Sequence, residues 1–144
     1  EDLIKIHADL KTPILASIGT IEQAEIFDRY RDRLNYCFVD VGPVKECSRE
    51  STCGLPMSFD YLDAMLQRLD RSVPYILSGG IRTSKDNTSE TILIQEIISH
   101  LAYRPPIGIM VGSPISAKEG PARTAAIAGY RKELNETYKC ISNK

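Results

Sequence analysis

Four apolar runs of strand length punctuate this chain: Pro13-Ile-Leu-Ala-Ser-Ile-Gly19, Asn35-Tyr-Cys-Phe-Val-Asp-Val-Gly42, Pro74-Tyr-Ile-Leu-Ser-Gly-Gly80 and Ile107-Gly-Ile-Met-Val-Gly112. The first is continuously apolar rather than alternating, the pattern of a strand buried on both faces of a parallel sheet. Such a sheet needs a crossover after each strand, and helical patterns stand where the crossovers are required. Thr20 with Gln23 makes a capping box ahead of Ile21, Ala24, Phe27 and Leu34. Ser58 caps a second helix whose apolar face is Phe59, Leu62, Met65, Leu66 and Leu69. Ile92, Leu93, Ile97, Ile98 and Leu101 mark a third, ended by Pro105-Pro106. Gly120 and Pro121 open the last, with Ala122, Ala125, Ala126, Tyr130, Leu134 and Tyr138 as its inner stripe. Residues 1–12 read as the tail of a preceding helix, through Leu3, Ile4, His7 and Leu10. The expected fold is therefore α/β, with parallel strands near 13–19, 36–42, 74–80 and 107–113 in one domain over residues 1–144.

Length limits what four such units can build. A complete eight-stranded barrel takes about 200 residues or more, and this chain has 144. It is expected to form half of a TIM-type (β/α)8 barrel, with an open doubly wound sheet as the other arrangement of the same units. Lys, Arg, Asp and Glu are interleaved to a net charge of -1, so no basic field exists of the kind nucleic acid requires. No apolar run approaches the ~20 residues of a membrane span, and residues 1–7 lack the basic start and apolar middle of a signal peptide. Those readings place the chain in the cytoplasm, away from nucleic acid and membranes. Of the four cysteines, Cys37, Cys47, Cys53 and Cys140, Cys47 and Cys53 share a loop and leave open a small disulfide or a metal site; free thiols are the expectation, and no metal.

The chemistry-bearing signal is the way two of the runs end. Ser78-Gly79-Gly80 brings bare backbone N–H groups to the carboxyl edge of the sheet, where an anion can approach without meeting a side chain. Gly112-Ser113 repeats the device one helix later, and adjacent strand-to-helix loops of this kind form phosphate sites in β/α barrels. Plain strand-ending glycines are the alternative. Asp40 ends the second run and is a candidate proton donor, or else the cap of its own loop or a partner for Lys45 or Arg82. Residues 44–57 form a polar loop of about 14 residues, against the roughly 2 to 6 usual for such connections, and read as a lid.

In order, these motifs resemble phosphoribosylanthranilate isomerase over roughly the last hundred residues, from Phe38-Val-Asp40 through Thr52-Cys-Gly54, Phe59-Asp60, Pro74 to Gly80, Gly112-Ser113 and Gly120. The resemblance implies a phosphorylated small-molecule substrate and an Amadori rearrangement in tryptophan biosynthesis. Asp40 would be the general acid that protonates the sugar ring oxygen, and Ser78, Gly79, Gly80, Gly112 and Ser113 would bind phosphate. It also implies a general base on an earlier strand, to which no residue here corresponds, so activity would require a missing barrel half. The eighth-strand run, Ile109-Met-Val-Gly-Ser-Pro114, lacks the two acids usual in that family.

The same glycine pair also resembles FMN-binding barrels, in which the last two loops hold the phosphate of FMN and an arginine follows the paired glycines as Arg82 does here, a candidate substrate contact; the isomerase reading carries no cofactor. Asp9-Leu-Lys11 has the spacing of an Asp-x-Lys sugar-phosphate decarboxylase but precedes Pro13 in an expected helix end. A third reading is a non-catalytic interaction protein, a half barrel whose open edges are covered by self-association or by a partner chain.

Overall fold

The computed structural model describes residues 15–34, 36–41, 59–86 and 91–142. The 44–57 loop, the Ser58 cap, Cys47, Cys53, His7 and the expected 1–12 helix lie outside the described residues. The first β/α unit follows the local chemistry closely. After β1 (Leu15–Ile18), the Thr20 hydroxyl accepts from the Gln23 N–H at 3.0 Å and starts α1 (Ile21–Arg29). The Gln23 side chain reaches back to the Gly19 N–H at 2.8 Å, one residue earlier than a standard box. Leu34 falls beyond the helix, after a 3-10 turn at Arg31–Arg33, and packs on the core from there.

Then come β2 (Tyr36–Asp40), α2 (Phe59–Gln67) and β3 (Tyr75–Ser78). The expected third helix starts later than its apolar pattern. Ile92 and Leu93 form a short strand, β5 (Ile92–Leu93), paired in parallel with β4 (Ile81–Arg82), and α3 (Ile94–His100) begins only after it. Ile81 and Ile92 are both buried, so Ile92, which suits a helix face, is used to anchor a loop. The final strand, β6 (Gly108–Ile109), is shorter than the 107–113 run, because Gly112 and Ser113 turn into a single helical turn, α4 (Ser113–Ser116). α5 (Gly120–Ser142) completes the described chain. Its inner stripe is real at Tyr130, Leu134 and Tyr138, whereas Ala122 and Ala125 are exposed. Alanine fits either side of a helix, so the spacing alone could not orient that first stretch.

The architecture is mixed α/β with a four-stranded parallel sheet in the order β1-β2-β3-β6. The order follows the chain without the reversal of a doubly wound sheet. Ala16, Cys37 and Tyr75 lie in one register row, and Ile18, Val39, Leu77 and Ile109 in another. These rows share a face, and Ile18, Cys37, Val39, Tyr75 and Leu77 are all buried. Against them pack Ala24 and Phe27 of α1, Leu62, Met65 and Leu66 of α2, Ile94, Ile97 and Ile98 of α3, and Tyr130 of α5. The helices also touch in chain order: Glu25 pairs with Arg68, and Phe59 stacks on His100 at 4.3 Å. On the opposite face the row Ser17, Phe38, Ile76, Gly108 is less covered, with Phe38 and Ile76 half-buried and Ser17 exposed.

The amino edge of the sheet is closed by Arg104. Its guanidinium donates to the carbonyls of Leu66 at 2.5 Å, Leu69 at 3.0 Å and Asp70 at 2.6 Å, at and just beyond the end of α2, where the Leu66 and Asp70 carbonyls also accept from the Leu69 and Val73 N–H groups. It also lies 5.5 Å from the centre of the Tyr75 ring. The Tyr75 hydroxyl donates to the Arg104 carbonyl, and the Tyr138 hydroxyl donates to the Pro106 carbonyl at 2.6 Å, tying α5 to the same edge. Burial pushes the Cys37 thiol up to about 12, with nearby Arg104 opposing.

Candidate functional site

The opposite, carboxyl edge brings the expected residues onto neighbouring strands. Asp40, the last residue of β2, stands in register with Ser78, the last of β3, and the Val41 N–H donates to the Ser78 carbonyl at 2.8 Å. Beyond β3, the Met110 N–H donates to the Leu77 carbonyl at 2.8 Å, so the chain running to Gly112 leaves the sheet beside the chain running to Gly79 and Gly80. Asp40, the paired glycines and the Gly112-Ser113 turn thus occupy three consecutive strand ends. The parallel arrangement does this, because all three strands must finish at the same edge.

Each turn is built differently. Gly79 and Gly80 have φ of 80° and 43°, the left-handed region in which a side chain is strained, so glycine is required at both. The Gly80 carbonyl accepts from the Ile92 N–H at 3.0 Å, which makes the β4/β5 pair a brace for this turn. Ser78 is buried, while Gly79 is exposed. Gly112 has φ of -95°, and a Cβ placed there would meet nothing within 4 Å. The Gly112 carbonyl accepts from the Ile115 and Ser116 N–H groups at 3.0 Å, closing α4, and Ser113 is exposed at the start of that turn.

Arg82 is half-buried and donates to its neighbour's carbonyl, Ile81, at 2.9 Å. Its charge lies near Tyr130 and opposes the upward shift that burial gives that phenol. Following Arg82, the 83–86 turn is fastened to α5: Glu133 accepts from the Ser84 N–H through both carboxylate oxygens at 3.1 Å, and Lys118 pairs with Asp86 at 3.4 Å. Nothing in the sequence marks Glu133 for this role, since it stands 49 residues from Ser84. Between the turn and the helix lies a cavity of about 460 Å³ rimmed by Lys85, Asp86 and Lys118 and floored by Ala122, Ala125 and Gly129. A second cavity, of about 350 Å³, runs between β6 and α5 and is lined by Ile109, Met110, Ile115, Ile127 and Leu134 among others. Neither is lined by Asp40, Ser78, Gly79, Gly80, Gly112 or Ser113.

Among the described residues no group of three His, Cys, Asp or Glu side chains is placed to hold a metal ion, and no helix is long and apolar enough to cross a membrane. Compared with known proteins, the sequence matches no protein-family model and no curated protein. What the carboxyl edge can do chemically rests on its own residues: the backbone N–H groups of two adjacent turns, a hydroxyl at Ser113, and a carboxyl group at the end of β2. Backbone amides suit an anion with several acceptor oxygens, and a carboxyl group suits proton transfer.

Proposed function

We propose that the chain is one half of a β/α barrel whose carboxyl edge seats the phosphate of a sugar phosphate, in an isomerase of the phosphoribosylanthranilate isomerase type. The observation that carries this reading is the convergence at one edge: Asp40 in register with Ser78, and the Gly79-Gly80 and Gly112-Ser113 turns leaving the adjacent strands. The chain-ordered parallel sheet with its helices packed against one face also supports it, since a barrel is built by continuing that arrangement until it closes. The phosphate anchors to the backbone N–H groups of Gly79, Gly80, Gly112 and Ser113 and to the Ser113 hydroxyl. Anchoring places the sugar over the strand ends. Asp40 then donates its proton to the ring oxygen as the C1–O bond breaks, and the amine lone pair forms the C1=N bond of the opened imine. Loss of the C2 proton to a base gives the enolamine, and protonation of C1 with loss of the C2 hydroxyl proton, which returns to the Asp40 carboxylate, forms the C2 ketone and completes the rearrangement. No residue of this chain is assigned as that base.

The reading is tested by following backbone amides in an NMR titration with inorganic phosphate and then with ribose 5-phosphate. Shifts at Gly79, Gly80, Gly112 and Ser113 are expected; no shift at millimolar ligand would leave the glycines as strand endings and remove the reading. In the completed enzyme, Asp40→Asn should leave the melting temperature within a few degrees and abolish turnover, and retained turnover would take Asp40 out of the mechanism.

A further inference from the structure

The two edge strands of the sheet are β1 and β6: among the described residues β1 pairs with β2 alone and β6 with β3 alone. Exposed apolar side chains gather at these same two ends. Of the six large hydrophobic residues exposed among the described residues, Leu15 and Ile26 belong to the β1–α1 end, and Ile107, Met110 and Ile127 to the β6–α5 end. Ile26 lies on the flank of α1 turned away from α2, since Ile21, Glu25 and Asp28 face α2 through Tyr61, Arg68 and Asp70. Ile127, Arg131 and Leu134 line the cavity beside β6, on the flank of α5 away from Gly129 and Glu133, which face the 83–86 turn. Among the described residues, each end therefore presents a strand edge without a further strand and an apolar helix flank above it.

From this geometry we infer that the β6–α5 end docks the β1–α1 end of a second copy of the chain, so that two copies close into one eight-stranded parallel barrel. The occupant follows from strand direction. A twofold axis parallel to the strands keeps all strands parallel, and it joins β6 of each copy to β1 of the other, giving two identical junctions and leaving no edge. A β6-to-β6 contact would bring the two strands together antiparallel and would leave both β1 ends uncovered. Closure also explains the less covered sheet face: the rows containing Phe38 and Ile76 from both copies would turn inward and pack against each other. With a net charge of -1 per chain, little repulsion opposes the pairing. The inference rests on the half-barrel part of the proposal above and is independent of its phosphate chemistry.

Sedimentation velocity of the full chain over a concentration series provides the test. The expected result is a species of twice the 16.1 kDa chain mass. Ile26→Lys and Ile127→Glu, both at exposed positions, should each raise the dimer dissociation constant roughly tenfold or more, with circular dichroism unchanged. An equimolar mixture of the two should recover association, because the mixed dimer keeps one unaltered junction. A chain that stays monomeric at every concentration overturns the inference, as do assemblies that grow without closing. An effect of Ile127→Glu with none of Ile26→Lys overturns it in favour of a β6-to-β6 contact. A monomer that still shows the phosphate shifts would remove the dimer and keep the proposed site; a dimer without those shifts would do the reverse.

Discussion

The two edges of the sheet are made from the same strands and differ in almost everything else. At the amino edge, one arginine donates to three carbonyls at and beyond the end of α2, two tyrosine hydroxyls bond to backbone carbonyls, and the Cys37 thiol is fully enclosed. At the carboxyl edge, glycines stand at φ of 80° and 43°, Ser113 is exposed, and the space over Gly112 is open. Side chains bond the backbone at the first edge, whereas at the second the bonds run between backbone groups and Gly79, Gly112 and Ser113 stay exposed. Stability and binding should therefore separate when the two edges are altered one at a time.

Arg104→Ala should have the largest effect. Removing a charged donor from three carbonyls of a helix end costs about 3 kcal/mol and lowers the melting temperature by about 10 °C, read by urea and thermal unfolding. Amide shifts of the phosphate titration should be unchanged below the new transition; a loss of binding at equal foldedness would break the division between the edges. Alkaline pH should act on the same edge. Because the folded Cys37 thiol is raised from 9.0 to about 12, the neutral thiol is the form that folding favours. Its contribution is fully present below pH 9 and is lost as pH rises through about 12. Unfolding midpoints measured across that window should decline, and less steeply in Cys37→Ala.

Variants at the carboxyl edge should show the opposite balance. Gly80→Ala forces a side chain into the left-handed region at a cost of about 1–2 kcal/mol, and it should remove the phosphate shifts at both turns, since the turn must change to relieve the strain. Ser113→Ala should fall within about 0.5 kcal/mol of the parent in stability while weakening phosphate binding measurably. A Ser113→Ala protein that binds phosphate as the parent does would restrict the seat to the backbone.

How far the sequence could be read also differs between the regions. The first unit was legible down to its cap, because Thr20, Gln23 and the apolar spacing that follows act within one turn of helix. The four strands and the carboxyl-edge placement of Asp40, Ser78 and the glycines were legible too, since parallel strands joined by helices must end together. Illegible were the contacts that join distant segments. Arg104 reads as an ordinary charge between a helix and Pro105-Pro106, and only folding brings it beneath the end of α2. Ile92 and Leu93 fit the helical spacing of Ile97 and Ile98, yet pairing with Ile81 and Arg82 satisfies their backbone as a strand instead.

The sequence by itself determined the alternation of elements, their parallel direction and the edge at which the candidate residues gather, because periodicity, caps and glycine conformation are set by neighbouring residues. Tertiary structure alone decided that strand order runs with chain order, that Arg104 locks one edge, that Glu133 holds the 83–86 turn, and that, among the described residues, the exposed apolar side chains gather beside β1 and β6. Those features depend on which surfaces meet, and the free energy of meeting is distributed over residues that lie far apart in the chain.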